Sequence, residues 1–433
     1  MILKVFTYLL LGVITSLFLF PFELVGLPGL NTKMMLAAIG LVVFFIETGR
    51  GKSGIVDQDM LLLSLLAVIV SLAGLAAIVY NGTNDTAYAS YIVSMWVWIG
   101  AAYFVVWCIG KVHGYTSVRL VCNYLIAVCV FQCAIALWID ASPDIKQTVD
   151  AYIEQGQEFL NSHNVRRMYG IGASLDVAGT RFAAVLILLA FILMSRDTDG
   201  YSMPIYFTAF IFIAVVGDMV ARTTLLGLII AFAYIIYKTK SQQYGITREA
   251  IRFWYWAGLL LAITIPVTVF FYNADADFHK NLRFGFEGFF NLVENGKWEI
   301  SSNEKLKTMY VFPDNLKTWI IGDGYFDNPT YSDPYYTGKH IKGFYMGTDV
   351  GYLRFIFYFG LIGLSAFTLF IIKAFKICYN RFAGVKDLFV MLFLLNMIIW
   401  FKVSTDIFLI FALFLMTESG DNELEWKGEL SAE

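Results

Sequence analysis

Several ionisable residues of this chain stand at the ends of long apolar runs. Arg166 and Arg167 precede one such run, Asp176 and Arg181 begin it, Asp218 and Arg222 separate the next two, and Asp349 and Arg354 open a fourth. A charge inside a bilayer costs about 2.5 to 3.5 kcal/mol on insertion scales, so ionisable groups at such positions mark a site by default. Guanidinium stays charged at any accessible pH and grips phosphate oxygens through paired hydrogen bonds. A carboxylate beside several arginines adds an acid–base group. Together they suit displacement of a diphosphate: the carboxylate takes the proton of an attacking sugar hydroxyl, and the arginines neutralise charge on the leaving group.

Each residue has a plainer alternative. Arg222 is four residues from Asp218, a helical ion-pair spacing, and Lys402 and Asp406 share it and read as mutual neutralisation. Arg354 is long enough to snorkel to head groups. Asp349 suits a helix N-cap as well as a base. Arg283 and His340 read mainly as exposed polar residues of a long loop, and are the weaker candidates for contact with an acceptor. The aromatic run containing Tyr325, Phe326, Tyr331, Tyr335, Tyr336, Phe344 and Tyr345 lies in a Gly- and Asp-rich stretch. It suits either sugar stacking or packing within the loop.

The elements that must position these groups follow from composition. Of 433 residues, 58% are hydrophobic and 15% charged, against the ~25% charged of ordinary soluble domains. Mean hydropathy is +0.66. Apolar windows fall at 5–22, 34–46, 60–80, 91–109, 118–138, 177–194, 203–217, 223–237, 254–272, 351–373, 386–401 and 403–416. A helix of about 20 residues crosses ~30 Å of hydrocarbon. The expected fold is an all-α polytopic membrane protein of about twelve transmembrane helices, one integral domain over 1–433. The windows at 34–46, 203–217, 223–237 and 403–416 are short. A net charge of −3 offers no basic field to nucleic acid.

Orientation rests on Lys and Arg, which collect in short cytoplasmic loops. With the N-terminus inside, the inner loops carry thirteen, from Arg50 to Lys386, and the short outer ones three, Lys33, Arg222 and Lys402. Both termini are then cytoplasmic, with the acidic tail from 418 to 433. Two long polar segments, 139–176 and 273–350, fall outside. Ser142-Pro143-Asp144 opens an amphipathic helix in the first, with Ile145, Val149, Tyr152, Ile153 and Leu160 on one face, suited to the outer leaflet. In the second, Leu282, Phe286, Phe289, Phe290 and Val293 form a stripe, and Ser301 with Glu304 has capping-box spacing. This loop reads as a compact, partly helical cap. The five cysteines fit no disulfide framework and the four histidines no zinc spacing.

Five ordered motifs carry a resemblance: Arg167-Met-Tyr-Gly170 running into Asp176-Val-Ala-Gly179, Ala221-Arg222-Thr223-Thr224-Leu225-Leu226-Gly227-Leu228, Ile321-Gly322-Asp323-Gly324-Tyr325, Asp349-Val-Gly351-Tyr-Leu-Arg354, and Gly360-Leu-Ile-Gly363-Leu. The set, over residues 160–370, resembles the O-antigen polymerase and ligase superfamily. The resemblance implies a bacterial inner-membrane glycosyltransferase working at the periplasmic face without metal or other cofactor. Its substrate is an undecaprenyl-diphosphate-linked oligosaccharide, and a flippase and a chain-length regulator are its partners besides membrane lipids. By motif match, Arg167, Arg222 and Arg181, with Arg166, hold diphosphate; Asp349 and Arg222 serve catalysis; Arg354, Arg283, His340 and Tyr325 lie toward the acceptor. The ligase branch implies a histidine shortly before the tenth span, where this chain has Asp349. That favours polymerisation over transfer to another acceptor, or over a lipid-linked oligosaccharide flippase, whose charges belong near the midplane on repeated halves.

Overall fold

The computed structural model describes residues 2–50, 57–154, 167–195, 202–240, 248–329 and 343–418. Arg196, Leu160, Tyr331, Tyr335, Tyr336 and the tail from 419 onward lie outside them. Among the described residues the chain is helical almost throughout: α1 (Ile2–Leu19), α2 (Thr32–Gly49), α3 (Gln58–Asn81), α4 (Tyr91–His113), α5 (Val118–Ala141), α6 (Pro143–Tyr152), α7 (Leu175–Leu193), α8 (Met203–Val220), α9 (Thr224–Lys240), α10 (Arg248–Ala274), α11 (Ala276–Gly285), α12 (Glu287–Asn295), α13 (Ser301–Thr308), α14 (Leu316–Ile320), α15 (Gly351–Arg381), α16 (Lys386–Ile399) and α17 (Phe408–Met416). The one sheet pairs β1 (Glu23–Leu24) antiparallel with β2 (Ile153–Glu154).

Every expected apolar window holds a helix, and among the described residues eight helices are long and apolar enough to cross a membrane. Four fall below that measure. At 1.5 Å per residue, the 14 residues of α16 reach about 21 Å and the 9 of α17 about 14 Å, short of ~30 Å of hydrocarbon. Between them, 400–407 is not helical. Lys402 and Asp406 therefore do not lie on one helix, and Asp406 accepts the Phe408 N–H at 2.8 Å, at the start of α17.

The chain divides into two compact units. The first comprises Met1–Leu36, Val105–Glu299 and Thr417–Glu433. Its centre is α7, buried along nearly its whole length and packed against α9, α8 and α5. The amphipathic helix expected after Ser142 is α6, and its apolar face is covered by protein: Val149 and Ile153 pack with Ile139 and Tyr169, while Tyr152 is exposed. In contrast, α10 buries Phe253 and Ala257 and nothing from Gly258 to Ala274, so its outer half presents apolar side chains on every face, as a lipid-solvated helix does.

The second unit comprises Ala37–Phe104 and Ile300–Met416, built on α15 against α3. α15 breaks at Phe359–Gly360, where Gly360 takes φ 67°. The break is filled by the Ile321–Tyr325 motif: Asp323 N–H donates to the Phe357 carbonyl at 2.6 Å and Gly324 N–H to the Tyr358 carbonyl at 3.0 Å. Irregular backbone among apolar helices survives only where protein satisfies its polar groups, and this turn does so. The Asp323 carboxylate accepts from Thr318 and Lys317, each at 2.6 Å, and Lys317 also reaches Asn81 at 2.8 Å. Two of the ordered motifs are thus halves of one structural joint. Ser301 proves to be the first residue of α13 rather than its cap, which is Ile300, and Glu304 pairs with Lys307 at 2.6 Å.

A Cβ at Gly360 would meet the Ile320 carbonyl oxygen at 2.1 Å in a backbone conformation that L side chains disfavour. Gly360→Ala should therefore destabilise the detergent-solubilised protein by at least about 2 kcal/mol. Gly384→Ala, where nothing lies within 4 Å, should stay within about 0.5 kcal/mol. Thermal unfolding of the two variants beside wild type measures the contrast.

Candidate functional site

At one end of the first unit, the start of α7 meets the junction between α8 and α9. α8 stops at Val220 and α9 starts at Thr224, so Arg222 stands between helices. The expected i, i+4 pairing with Asp218 across one helix is not available to it. The Thr223 hydroxyl donates a short hydrogen bond to Asp176 in the first turn of α7, fixing the junction against that helix. Leu175, immediately before Asp176, holds a left-handed φ of 52°, and its side chain packs against the Ile139–Val149–Ile153–Tyr169 cluster that keeps it there.

A third element completes the arrangement. Asp275 caps α11 by accepting the Phe278 N–H at 2.8 Å, Asn281 donates to Asp140 at the end of α5 at 2.8 Å, and Gly285 lies so close to the Asp218–Met219 backbone that a Cβ would sit 3.2 Å from the Met219 nitrogen. α11 is thereby held over the end of α8. Its Phe284 carbonyl accepts Arg222 Nε at 2.9 Å, and the Phe284 ring lies 3.9 Å from the Arg222 guanidinium carbon and 5.4 Å from that of Arg167. Two expected phosphate ligands thus share one aromatic ring, a contact worth about 0.5 to 2 kcal/mol each. Glu287, at the start of α12, closes the group with a 2.8 Å contact to Arg222 Nη2.

Arg181 lies farther along α7. It is 6% exposed, donates to the Val177 carbonyl at 3.0 Å and sits 5.8 Å from the Phe20 ring centroid. Burial lowers the pKa of Arg167 against the opposing charge of Asp176. Burial also lowers that of Arg222, which Glu287 raises, the charge of Arg167 lowers further and Asp218 raises. Both stay cationic, because a guanidinium begins so far above neutrality. The result is a small, partly desolvated cationic surface with acceptors around it, competent to bind a dianionic oxygen-rich group.

The second unit holds Asp349, Arg354 and Tyr325. Arg354 does not snorkel: it is 6% exposed, lies between the Phe326 and Phe344 rings at 3.6 and 4.2 Å, and donates to Ser404 at 2.8 Å, the Phe326 carbonyl at 3.1 Å and Asp327 at 2.6 Å. It cross-links chain segments. Asp349 stands 4.0 Å from Arg354, and Val350, not Asp349, occupies the N-cap position of α15, which no side chain caps. Tyr325 is buried against Tyr345, which packs on Phe357, so this part of the aromatic run forms loop core. In the first unit, Arg283 binds Glu294 through two contacts of 2.7 and 2.6 Å, reaches the Tyr272 hydroxyl at 3.3 Å and stacks over Phe290, clamping α11 to α12. Arg166 and His340 lie outside the described residues. Among the described residues no group of three or more His, Cys, Asp or Glu is placed to hold a metal ion.

Sequence reasoning missed Phe284 and Glu287. The apolar stripe from Leu282 to Val293 signalled that this segment faces protein, but no local spacing links Arg222 to a partner 62 positions away. No protein-family model, curated protein or solved structure matches the chain, so its chemistry is argued from its own geometry and motifs.

The Arg283 hydrogen bonds hold Glu294 below its ordinary value of 4.5 and raise Arg283 in turn. A depressed carboxylate contributes its stabilisation fully above its unfolded pKa and loses it as pH falls through the lower folded value. Amide exchange over 276–295, corrected for intrinsic rates, should therefore be flat from neutrality down to pH 4.5 and accelerate below it. Glu294→Gln should exchange fast throughout.

Proposed function

We propose that this protein is a glycosyltransferase of the O-antigen polymerase type. It moves a glycan from undecaprenyl diphosphate to a sugar hydroxyl of a second lipid-linked repeat unit, at the periplasmic face of a bacterial inner membrane. The observation that carries this reading is the pair Arg167 and Arg222 on the Phe284 ring. Eight membrane-length helices suit a substrate whose anchor stays in the bilayer while its headgroup reacts.

In this scheme the bond between the anomeric carbon and the diphosphate oxygen breaks, and its electron pair leaves on the diphosphate. The arginines neutralise that charge, a term of several kcal/mol when donors are pre-oriented. The acceptor hydroxyl oxygen forms the new bond to the anomeric carbon and gives its proton to a carboxylate, for which Asp349 is the candidate carried by motif. Arg354, with its two terminal nitrogens engaged by the chain itself, orients the loop beside Asp349 rather than holding sugar. Arg283 serves the α11–α12 clamp.

A flippase would use a broken helix whose freed backbone groups face a cavity. The break in α15 is instead closed by Asp323 and Gly324 of the same chain, which favours the enzyme. The ligase alternative rests on a histidine before α15, in whose place this chain carries Asp349.

Purified protein supplied with a lipid-diphosphate repeat unit should make a ladder of longer chains. Arg222→Ala and Arg167→Ala should each lower kcat/KM by about a hundredfold or more, and Asp349→Asn should lower kcat with little change in KM. Unimpaired elongation by both arginine variants would remove the pair from the reaction.

A further inference from the structure

Glu287 occupies the place an anionic ligand would take. Its carboxylate meets Arg222 Nη2 at 2.8 Å, on a guanidinium whose Nε is already held by the Phe284 carbonyl at 2.9 Å. We propose that Glu287 is a built-in counter-ion that latches α12 over the arginine pair, and that the diphosphate headgroup binds by displacing it. This rests on the diphosphate reading given above and says how that site is opened.

Two of the contacts of Arg222 come from elements of different firmness. The carbonyl belongs to α11, pinned by Asn281 to Asp140 and by the close approach of Gly285 to Met219. The carboxylate lies past the Gly285–Phe286 joint on α12, where the only buried residue is Gly288 and Val293 is 85% exposed. Exchanging one anion for another at Nη2 leaves Arg222 aimed by its Nε bond and requires a shift of α12 at its Glu287 end, while the Arg283–Glu294 clamp keeps its far end on α11. A diphosphate also has the advantage in charge. It offers several oxygens and more than one negative charge to two adjacent guanidinium groups, against the single charge of Glu287.

A role as the general base fits the geometry less well. In an in-line displacement the acceptor attacks the sugar face opposite the leaving group, whereas a carboxylate on Arg222 stands where the leaving diphosphate itself binds. Glu287 is a placeholder that keeps a buried cation paired until substrate arrives, which avoids the penalty of an uncompensated charge.

The test uses the full chain in detergent and inorganic pyrophosphate as probe, with affinity from calorimetric titration and amide exchange followed over 276–295. In wild type, pyrophosphate should speed exchange in 287–295 and leave 276–285 unchanged. Glu287→Gln should bind pyrophosphate about five- to tenfold more tightly, since a latch closed most of the time reduces apparent affinity by the fraction that is open. The same variant should show fast exchange in 287–295 before any ligand is added. Arg222→Ala should not bind. Should wild type bind through Arg222 while Glu287→Gln binds no tighter and 287–295 keeps its protection, the latch is wrong and the diphosphate site stands. Should neither wild type nor Glu287→Gln bind, the diphosphate reading fails and the latch with it. The wild-type exchange measurement decides the matter even where a substituted chain does not fold.

Discussion

The constraint on which the first unit depends is the burial of the Arg222 guanidinium at a helix junction. A cation removed from water must be met by hydrogen-bond acceptors or opposite charge, or the fold bears a penalty of several kcal/mol. The junction alone does not meet it. Asp218 contributes its field from the end of α8, but the direct partners come from the long loop: a carbonyl and a ring from α11 and a carboxylate from α12. Compensating one charge thus fixes where 62 residues of intervening chain must return, and the return lays α11 across the end of α8. The neighbouring Arg167 lies against the same ring, and the charges of Asp176, Asp218 and Glu287 offset the repulsion between the two cations.

How much of this was legible in the residue order can be argued element by element. The apolar windows located twelve helices, because an uninterrupted run of Leu, Ile, Phe and Val has no other way to satisfy its backbone away from water. Length was the weaker inference. The window at 403–416 contains Val403, Ser404, Thr405 and Asp406, and the polar trio, mild enough to average out in hydropathy, unwinds the chain as far as Phe408. Spacing rules failed in the same way wherever they assumed one helix through both partners, as for Asp218 with Arg222. Residue type carried further than spacing: of the arginines marked as costly at apolar boundaries, Arg167 and Arg222 share the Phe284 ring, while Arg181 is buried within α7 beside Phe20.

The glycine-rich motifs show why short patterns mislead when read as chemistry. Ile321-Gly322-Asp323-Gly324 has the look of a loop that cradles a ligand, with backbone N–H groups and an acid. Its N–H groups are indeed aimed at oxygens, but those oxygens are the Phe357 and Tyr358 carbonyls freed by the break at Gly360, and its acid binds Lys317 and Thr318. The same physics that would bind a phosphate here satisfies a helix. The joint matches the Phe357 and Tyr358 carbonyls within one turn, and it makes the Ile321–Tyr325 motif part of the helical body of the second unit.

The contrast between the two buried arginines follows from the same accounting. Arg354 has its terminal nitrogens tied to Ser404, Phe326 and Asp327 and both faces covered by rings; a ligand would have to break several contacts drawn from three segments to reach it. Arg222 is tied firmly at Nε and lightly at Nη2, with its other contact on a helix that buries almost nothing. Similar burial and equal charge thus go with different anchorage: Arg354 fastens the chain, and Arg222 is the cation proposed to dock a ligand. The difference lies in where the compensating groups are anchored. Glu287 stands at the start of α12, a helix fastened to α11 at its other end by Arg283 and Glu294, whereas Asp327 and Phe326 continue from a turn stitched into the core of α15. Where the counter-ion is anchored, more than the presence of a guanidinium, is what distinguishes these two arginines: Asp327 follows a turn joined to α15, and Glu287 lies on α12.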